Sequence, residues 1–357
     1  MANGRKYYKN KYNYLGKKVV GMPMLDRNDQ KQVAAYQNFV RTTPSARVTQ
    51  DLAWGSVKNN WEARDFYVQD ADGQIKAALS VLLTDTPAGK KFAYASKGPV
   101  MATFDLALLD ALLAEALPHL SDAYVLRMDP EVPYSDELNQ ALQDHGFQTR
   151  NRNVAAAGMH ATIQPRLNMV MDLTAFPEAK QTLDLYPSKT KSKLKRPIRD
   201  GVTVTNGATA AELADFYTTY EAMAKRHGIT YRPKAYFERM QAAFGADIMQ
   251  IFVARRQGQL LSTGIGFKYG DKVWYMYAGS VDGETYYAPY AVQTAMIQWA
   301  LDNGVRYYDM GGIGEEDRSD HLYLFKHVFV KAPATEYIGE IDRVIDPTVY
   351  AKLVEND

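Results

Sequence analysis

The 357-residue sequence contains no cysteine. Disulfide bonds, thiolate metal sites and a cysteine nucleophile are therefore excluded, and the composition is typical of a protein in a reducing compartment. The six histidines are scattered and form no His-x-x-x-His pair, so the sequence predicts no bound metal. No serine stands in a Gly-x-Ser-x-Gly context, which leaves a hydrolase triad without support.

Long hydrophobic runs are missing as well, since no apolar stretch approaches the roughly 20 residues of a membrane-spanning helix. The N-terminal segment does not look like a secretion signal, so we expect a cytoplasmic protein without stable membrane insertion. The net charge is only +1, so a polyanionic partner has to meet a local basic patch. Residues 1–23, which include the basic, tyrosine-rich segment Gly4 to Lys18, are expected to be disordered. A nucleic-acid or membrane-surface arm is the alternative.

The same order of predicted elements occurs twice along the chain. After an amphipathic helix predicted at 28–41, the first series has a strand hairpin at 65–83, a strand at 92–96, a helix at 105–119 and a strand at 123–127. The second series has strands at 249–254, 260–267 and 273–277, a helix at 288–301 and a strand at 305–309. Two such series predict an α/β (α+β) fold built from duplicated units with mixed sheets.

The boundary between the two units is expected near Gln164-Pro165. We assign residues 24–165 plus 338–357 to a first domain and residues 166–337 to a second. Helices are predicted at 188–199, 210–226 and 234–244, between the two series. The order of elements resembles that of the GNAT-type N-acetyltransferases, which implies two fused GNAT-like domains.

An N-acetyltransferase holds the pyrophosphate of coenzyme A at a strand-to-helix turn of the type Gln/Arg-x-x-Gly-x-Gly/Ala. The corresponding segments here begin at Ser96 and at Ala278, and neither carries that pattern. The fold therefore favours acyl transfer to an amine, while the motif for the usual acyl carrier is missing.

Several long stretches of the sequence match one known family. They are Val48 to Leu52, Val57 to Trp61, Phe92 to Val100, Tyr186 to Pro197, Arg226 to Thr230 with Arg232-Pro233, Trp274 to Gly279, Tyr286 to Tyr290, and Leu324 to Phe329. Through them the sequence resembles the Fem ligases, non-ribosomal peptidyltransferases that build the side branches of peptidoglycan. The resemblance covers nearly everything after about residue 24. It is greatest to the type that adds alanine to the lysine of UDP-MurNAc-pentapeptide. No sustained heptad run is present, so we expect no coiled-coil arm.

The resemblance implies an aminoacyltransferase with two substrates. The acceptor is UDP-MurNAc-pentapeptide, with a diphosphate and a free lysine ε-amine, and the donor is an aminoacyl-tRNA, in particular Ala-tRNA. The aminoacyl ester is already activated, so neither ATP nor another cofactor is implied, and we expect a monomer. Serine or glycine as the donor residue remains open. A coenzyme A-dependent N-acetyltransferase and a non-catalytic RNA-binding module remain as alternatives.

The resemblance also assigns acceptor-binding residues. Lys58 and Arg232 are candidate partners of the diphosphate, because a lysine ammonium or a guanidinium fork suits phosphate oxygens. The other candidates are Asn59, Asn60, Trp61, Thr230, Tyr236 and Tyr277. A solvated helix position for Lys58, and buried tyrosines with satisfied hydroxyl groups, are the structural alternatives.

Lys326 is the candidate catalytic residue, since a positioned ammonium stabilises the oxyanion that forms when an amine attacks an ester. Phe325 is a candidate stacking partner for the terminal adenine of the tRNA, with a core position as the alternative. Asp129 is a weaker candidate, as a general base, and a turn-forming role is equally consistent with Pro130 after it. Gly311, Gly312 and Gly314 are expected to form a loop close to Lys326, without the ending of a P-loop.

A basic run between residues 188 and 199 is the candidate tRNA-binding segment. Its cations are Lys189, Lys191, Lys193, Lys195, Arg196 and Arg199. Six cations in a short stretch of a nearly neutral protein favour contacts with phosphates, and a solvated helix face is the alternative.

Overall fold

The structure is a computed structural model that describes residues 11–14, 17–21 and 24–354. The chain forms two compact units. Unit 1 comprises the described residues up to Ala157, together with Ala161–Gln164 and the described residues from Tyr337 onward. Unit 2 comprises Gly158–His160 and Pro165–Glu336. Within the described ranges, none of the helices combines the length and the apolar character that a bilayer crossing requires.

Strands from both halves of the chain build two sheets. The described strands are β1 (Lys11–Tyr14), β2 (Lys17–Gly21), β3 (Glu62–Asp70), β4 (Ile75–Asp85), β5 (Lys91–Ala95), β6 (Val100–Met101), β7 (Ala123–Met128), β8 (Gln148–Arg150), β9 (Leu167–Asp172), β10 (Val202–Gly207), β11 (Met249–Arg256), β12 (Gln259–Tyr269), β13 (Lys272–Ser280), β14 (Tyr307–Ile313), β15 (Thr335–Glu336) and β16 (Glu340–Val344).

The helices connect and cover these strands. They are α1 (Gln30–Thr42), α2 (Trp54–Val57), α3 (Leu106–Ala116), α4 (Asp136–Asp144), α5 (Ser188–Leu194), α6 (Arg196–Arg199), α7 (Ala210–His227), α8 (Lys234–Ile248), α9 (Ala288–Asp302), α10 (His321–Lys326) and α11 (Pro347–Val354). Short 3₁₀ helices occur at Val48–Gln50, Leu117–His119, Arg152–Ala157, Met159–Ala161, Leu173–Ala175 and Thr182–Leu185. The longest helix among the described residues, α7, has 18 residues.

The sheet of unit 1 has the strand order β1-β2-β3-β4-β5-β7-β16-β8, and β6 pairs with β4. Only β5 and β7 are parallel neighbours among these described strands, and their pairing runs from Lys91 to the last residue of each strand. Helix α3 packs its leucines, for example Leu109 and Leu112, against Phe66 and Leu79 of the sheet. An apolar helix stripe on a sheet face is the arrangement that buries most apolar surface in such a unit.

The sheet of unit 2 has the strand order β10-β11-β12-β13-β14-β9-β15, and here β13 and β14 are the parallel pair. Helix α9 connects them and buries Val292, Met296 and Ala300 in the core of this unit. Both sheets therefore mix parallel and antiparallel strands around a strand-helix-strand crossover. The predicted duplicated α/β architecture is confirmed.

Two features differ from the expectations. Residues 11–14 and 17–21 form an antiparallel strand pair, and β2 pairs in turn with β3. The expected disorder of residues 1–23 is thus wrong for these nine positions, while the rest of that segment lies outside the described residues. In unit 2, Gly311 and Gly312 belong to β14, which extends to Ile313 instead of ending before a glycine loop.

Candidate active site

The parallel strands of unit 2 separate soon after they begin. Residues Lys272–Trp274 of β13 pair with Tyr307–Asp309 of β14, and the pairing of these two strands stops there. Beyond this point β13 continues beside β12, and β14 continues beside β9 with a bulge between Asp309 and Gly312. The sheet therefore opens where these two strands part, next to the glycines of β14.

Lys326 lies at this opening. It is the last residue of α10, and its side chain is 7% exposed. Its Nζ donates a hydrogen bond of 2.5 Å to the carbonyl oxygen of Gly312. Burial lowers the pKa of Lys326 to about 8, while the carboxylates of Asp309 and Asp320 act in the opposite direction. The group is mostly an ammonium at neutral pH, and it loses its proton at a moderately alkaline pH.

Asp320 fixes the helix that carries Lys326. Its Oδ1 accepts the backbone N–H groups of Leu322 at 2.7 Å and Tyr323 at 3.1 Å, which caps the start of α10. Its Oδ2 accepts the N–H of Gly314 at 2.7 Å. One carboxylate thus connects the first turn of α10 to the residue that follows β14. This connection positions α10 so that the side chain of Lys326, at its end, reaches β14.

A second carboxylate, Asp309, is the last residue of β14 that pairs with β13 before the two strands separate. It is buried, forms an ion pair of 2.6 Å with the buried Lys272, and accepts the N–H of Gly311 at 2.7 Å. Gly311 has a φ of 76°. A methyl group at its Cα would lie 3.7 Å from Lys326 Nζ and 3.8 Å from the indole nitrogen of Trp274. The space beside Gly311 is therefore bordered by an ammonium and an indole nitrogen.

Phe325 is packed on one side. Its ring centroid lies 5.7 Å from that of Tyr290 and 5.9 Å from that of Phe329, and the residue is only partly buried. The expected core contacts are present, and part of the side chain remains accessible.

Three of the candidate acceptor residues form a second cluster of unit 2. The hydroxyl groups of Tyr277 and Tyr236 lie 3.4 Å apart, and the guanidinium of Arg232 lies 5.5 Å from the ring centroid of Tyr236. Arg232 and the nearby Thr230 are exposed, whereas Tyr236 is buried. Burial, followed by the neighbouring Tyr236, raises the pKa of Tyr277 well above its usual value, so both tyrosines act as neutral hydrogen-bonding groups.

Tyr220 of α7 holds this cluster together, although no motif in the sequence marks it. Its hydroxyl group accepts the N–H of Arg232 at 3.3 Å, and its ring contacts those of Phe237 and Tyr277. The helix approaches β13 so closely that a methyl group on Gly279 would lie 2.3 Å from the backbone nitrogen of Tyr220. Glycine at this position therefore allows α7 to pack on β13.

Lys58 and Trp61 belong to unit 1. Lys58 follows α2, and its Nζ lies 5.7 Å from the ring centroid of Trp61, whose ring contacts Phe92 edge-on at 6.3 Å. Asn59 and Asn60 are exposed in the turn between them. Lys58 is partly buried on an aromatic ring, which differs from a freely solvated helix position.

Asp129 also lies in unit 1, just past the end of β7. Its Oδ2 accepts the hydroxyl of Tyr94 at 2.6 Å, and its Oδ1 accepts the backbone N–H of Lys97 at 2.5 Å. Burial raises the pKa of Asp129 to about 7, against the charge of Lys97 and these hydrogen bonds. Because both oxygens already accept hydrogen bonds, the geometry favours a role in holding the segment after β5 over a role as a general base.

The basic run forms α5 and α6 of unit 2. Lys189, Lys193, Lys195 and Arg196 are exposed, and Lys191 is partly buried. Burial and the nearby charge of Lys193 lower the pKa of Lys331, whose ammonium donates to the carbonyl of His327. The cationic surface therefore reaches the segment that immediately follows Lys326.

The start of α9 is the place where a GNAT-type enzyme would bind the pyrophosphate of coenzyme A. Here the Oε1 of Glu284 accepts the backbone N–H groups of Tyr286 at 2.7 Å and Ala288 at 3.1 Å. Pro289 follows and has no N–H to offer. An internal carboxylate occupies the donors that an anionic ligand would need, so this turn does not fit coenzyme A.

Two relatives are similar in sequence along most of this chain. UDP-N-acetylmuramoylpentapeptide-lysine N(6)-alanyltransferase of Weissella viridescens is 66% identical over 336 residues, which cover 94% of this chain and 100% of the relative. A lipid II:glycine glycyltransferase of Staphylococcus aureus (strain MRSA252) is 22% identical over 396 residues, covering 89% of this chain and 92% of the relative.

Solved structures share the fold. A crystal structure of FemX superposes with a TM-score of 0.79 at 20% identity, covering 90% of this chain and 98% of the other. A tandem GNAT protein from the clavulanic acid biosynthesis pathway has a TM-score of 0.53 at 14% identity, covering 91% and 98%. The prediction of two fused GNAT-like units is thereby confirmed. Since residues 32–257 and 250–354 match the FemAB family, this chain belongs to that family.

Proposed function

We propose that this protein transfers L-alanine from Ala-tRNA to the lysine ε-amine of UDP-MurNAc-pentapeptide, a step in building peptidoglycan side branches. The observation that carries the proposal is the 66% identity, over 94% of the chain, to a relative whose name specifies this acceptor and this amino acid. The glycyltransferase relatives, at 22% identity, are named for a different amino acid and a lipid-linked acceptor. We therefore favour alanine over glycine.

The reaction breaks one ester bond and forms one amide bond. The neutral lysine amine attacks the ester carbonyl carbon, and the carbonyl oxygen carries a negative charge in the tetrahedral intermediate. The intermediate collapses when the ribose oxygen of the tRNA leaves. The proton lost by the amine balances the one gained by the ribose oxygen, which leaves as a hydroxyl group. The aminoacyl ester is already activated, so its conversion to an amide supplies the driving force and ATP is not consumed.

Lys326 stabilises the oxyanion in this scheme. An ammonium has three N–H donors, and among residues 24–354 Gly312 is the acceptor that takes one of them. The remaining donors are available to the substrate at the place where β13 and β14 separate. Because burial removes water, a charge held there interacts more strongly with a developing oxyanion than it would in solution.

Acceptor binding is assigned to two groups of residues. In unit 2, Arg232 provides an exposed guanidinium beside the Tyr236 and Tyr277 hydroxyl groups, which suits a phosphate and a sugar. In unit 1, Lys58 provides a cation next to Trp61. Asn59, Asn60 and Thr230 add exposed polar groups.

The tRNA is assigned to the cationic surface of α5 and α6, with Phe325 beside the terminal adenine. The exposed lysines at 189, 193 and 195 suit phosphate contacts, which are independent of sequence. We further propose that the protein works in the cytoplasm, because the donor and the soluble acceptor are intracellular molecules, and that it works there as a monomer. Light scattering of the purified protein with both substrates tests the monomer.

The direct test is an assay of the purified protein with radiolabelled Ala-tRNA and UDP-MurNAc-pentapeptide without ATP. We expect label to move to the acceptor, and mass spectrometry to place alanine on the lysine ε-amine. Parallel reactions with Ser-tRNA, Gly-tRNA and acetyl-coenzyme A separate the other donors and the N-acetyltransferase alternative. Binding of tRNA without any transfer would favour a non-catalytic RNA-binding module and reject the proposal.

A further inference from the structure

A series of stacked groups leads from the basic run to the candidate catalytic lysine. The guanidinium of Arg196 lies 4.2 Å from the ring centroid of Tyr287. The Tyr287 ring lies 5.7 Å from that of Tyr290, and the Tyr290 ring lies 5.7 Å from that of Phe325, the neighbour of Lys326 in sequence. We call these four residues, Arg196, Tyr287, Tyr290 and Phe325, the ring series.

Tyr287 differs from the other rings of the series because it is not part of the core. Tyr290 and Phe325 pack partly buried against the core of unit 2, whereas Tyr287 is 40% exposed. Its φ of 58° lies in the left-handed region, which costs energy for a residue with a side chain. A strained, exposed tyrosine is not explained by packing, and such outliers concentrate at functional positions.

The surroundings of Tyr287 favour an anionic, aromatic ligand. Arg196 belongs to the basic run, and a second guanidinium, that of Arg256, lies 4.4 Å from the ring centroid of the adjacent Tyr286. Glu284 takes the backbone N–H groups at the start of α9, so the ring and the guanidinium are the ligand-facing groups here, not the helix end. Aromatic rings next to cations are the usual features of surfaces that bind single-stranded nucleic acid.

We propose that Tyr287, with Arg196 over its ring, forms a stacking site for an unpaired nucleobase of the RNA strand that carries the amino acid. The base is one of those that precede the terminal adenosine. With Phe325 beside the adenosine, the ring series then follows the strand toward the ester, and Tyr290 fills the space between the two stacking positions. The inference rests on the proposed use of aminoacyl-tRNA and adds a binding position to it.

Two donor substrates isolate this contact. An alanylated RNA hairpin with the single-stranded 3′ end contains the bases that would stack on Tyr287, whereas 3′-alanyl-adenosine lacks them. The test variant is Tyr287→Gly, because glycine adopts the positive φ of this position without strain, so that the backbone path is kept while the side chain is removed. Tyr287→Phe keeps the ring. The control is Tyr307→Leu. It removes a ring that lies under the guanidinium of Arg306, outside the ring series.

We expect Tyr287→Gly to raise KM for the hairpin about tenfold, as the loss of one stacked base predicts. It should leave kcat/KM for 3′-alanyl-adenosine unchanged, and Tyr287→Phe and Tyr307→Leu should behave like the wild type with both donors. An equal loss with both donors, or no loss with the hairpin, overturns the inference.

A binding measurement keeps the inference testable if no transfer occurs. The adenine analogue 2-aminopurine, placed in turn at each unpaired position of an uncharged hairpin, loses fluorescence when it stacks on a ring. We expect quenching at one position before the terminal nucleotide, and its loss in Tyr287→Gly but not in Tyr287→Phe. Quenching without alanine transfer would reject the proposed function while supporting the stacking site. Equal quenching in the wild type and in Tyr287→Gly would reject the site.

Discussion

The ammonium of Lys326 donates a 2.5 Å hydrogen bond to the carbonyl oxygen of Gly312, fourteen residues earlier in the chain. This bond joins the end of α10 to the bulged part of β14, where that strand has left β13. The backbone thus orients the charged group without neutralising it. A carboxylate partner in the same position would have cancelled the charge that an oxyanion needs.

The pH dependence of the reaction should reflect this lysine. Burial lowers the pKa of Lys326 from 10.5 to about 8, so the active ammonium form is lost as the pH rises through about 8. We expect the ratio of the wild-type kcat to that of Lys326→Arg, with both substrates saturating, to fall about tenfold per pH unit above that value, because deprotonation of the acceptor amine affects both enzymes alike. In Lys326→Arg the residual activity should lack this alkaline decline, because a guanidinium stays protonated. The same decline in the arginine variant would assign it to another group.

Arg232→Ala should weaken binding of the acceptor more than it slows the chemical step. The loss of a charged hydrogen-bond donor to phosphate costs about 1.5 to 3 kcal/mol, which raises KM for UDP-MurNAc-pentapeptide about 10- to 100-fold. Lys58→Ala should act in the same direction. Lys234→Ala removes a cation that pairs with Glu238 on the surface of α8, and it is the matched control. A fall in kcat at unchanged KM in either test variant would contradict the assignment.

The basic run should govern the salt dependence of tRNA binding. Replacing Lys189, Lys193 and Lys195 by Gln removes three exposed cations, each of which lowers the slope of log Kd against log salt by about 1 if it contacts a phosphate. We expect weaker binding of tRNA and a flatter salt dependence. The triple replacement of Lys31, Lys234 and Lys352, which are exposed elsewhere, should change neither. Identical slopes for the two triple variants would mean that α5 and α6 form an ordinary solvated face.

Asp129→Ala should damage stability more than catalysis. The substitution leaves the buried N–H of Lys97 and the hydroxyl of Tyr94 without their acceptor, at a cost of about 1 to 3 kcal/mol each. Asp129→Asn keeps one oxygen and can donate to the tyrosine oxygen, so its free energy of unfolding and its kcat should stay close to those of the wild type. Denaturant unfolding and kcat measured on both variants decide the role. A large loss of kcat in a normally stable Asp129→Asn would restore the general base.

Elements defined by local chemistry could be predicted from the sequence. The hairpins β3–β4 and β11–β12 form around Gly73 and Gly258, both of which have positive φ, and a glycine between two strand patterns is a local turn signal. Strand β16 pairs with β7, more than 200 residues away, and its five residues carry no local signal that would name that partner. The glycines at 311 and 312 suggested a loop, but Gly312 and Ile313 resume the pairing with β9 after a bulge that contains Gly311, and β14 therefore extends through both glycines.

The candidate site likewise contains residues that could be identified from the sequence and residues that could not. Lys326, Arg232 and Lys58 were identified through the family resemblance, since a single lysine or arginine has no distinctive local pattern. Asp320, which caps α10, was not identified, because no helix was predicted at 321–326. The positions of Trp274 next to Gly311, and of Tyr220 beneath Arg232, depend on how strands and helices pack, which no local pattern specifies.

The measurement that tests the account most directly is the single-turnover rate of alanine transfer by Lys326→Ala. The acceptor is saturating, the alanylated tRNA is bound in advance, and Lys268→Ala, which removes a surface lysine paired with Asn303, is the control. We predict a rate about 100- to 1,000-fold below the wild type, with unchanged binding of both substrates, and partial recovery when methylammonium is added. A rate equal to that of the wild type would show that the oxyanion is stabilised elsewhere, and it would contradict the central claim.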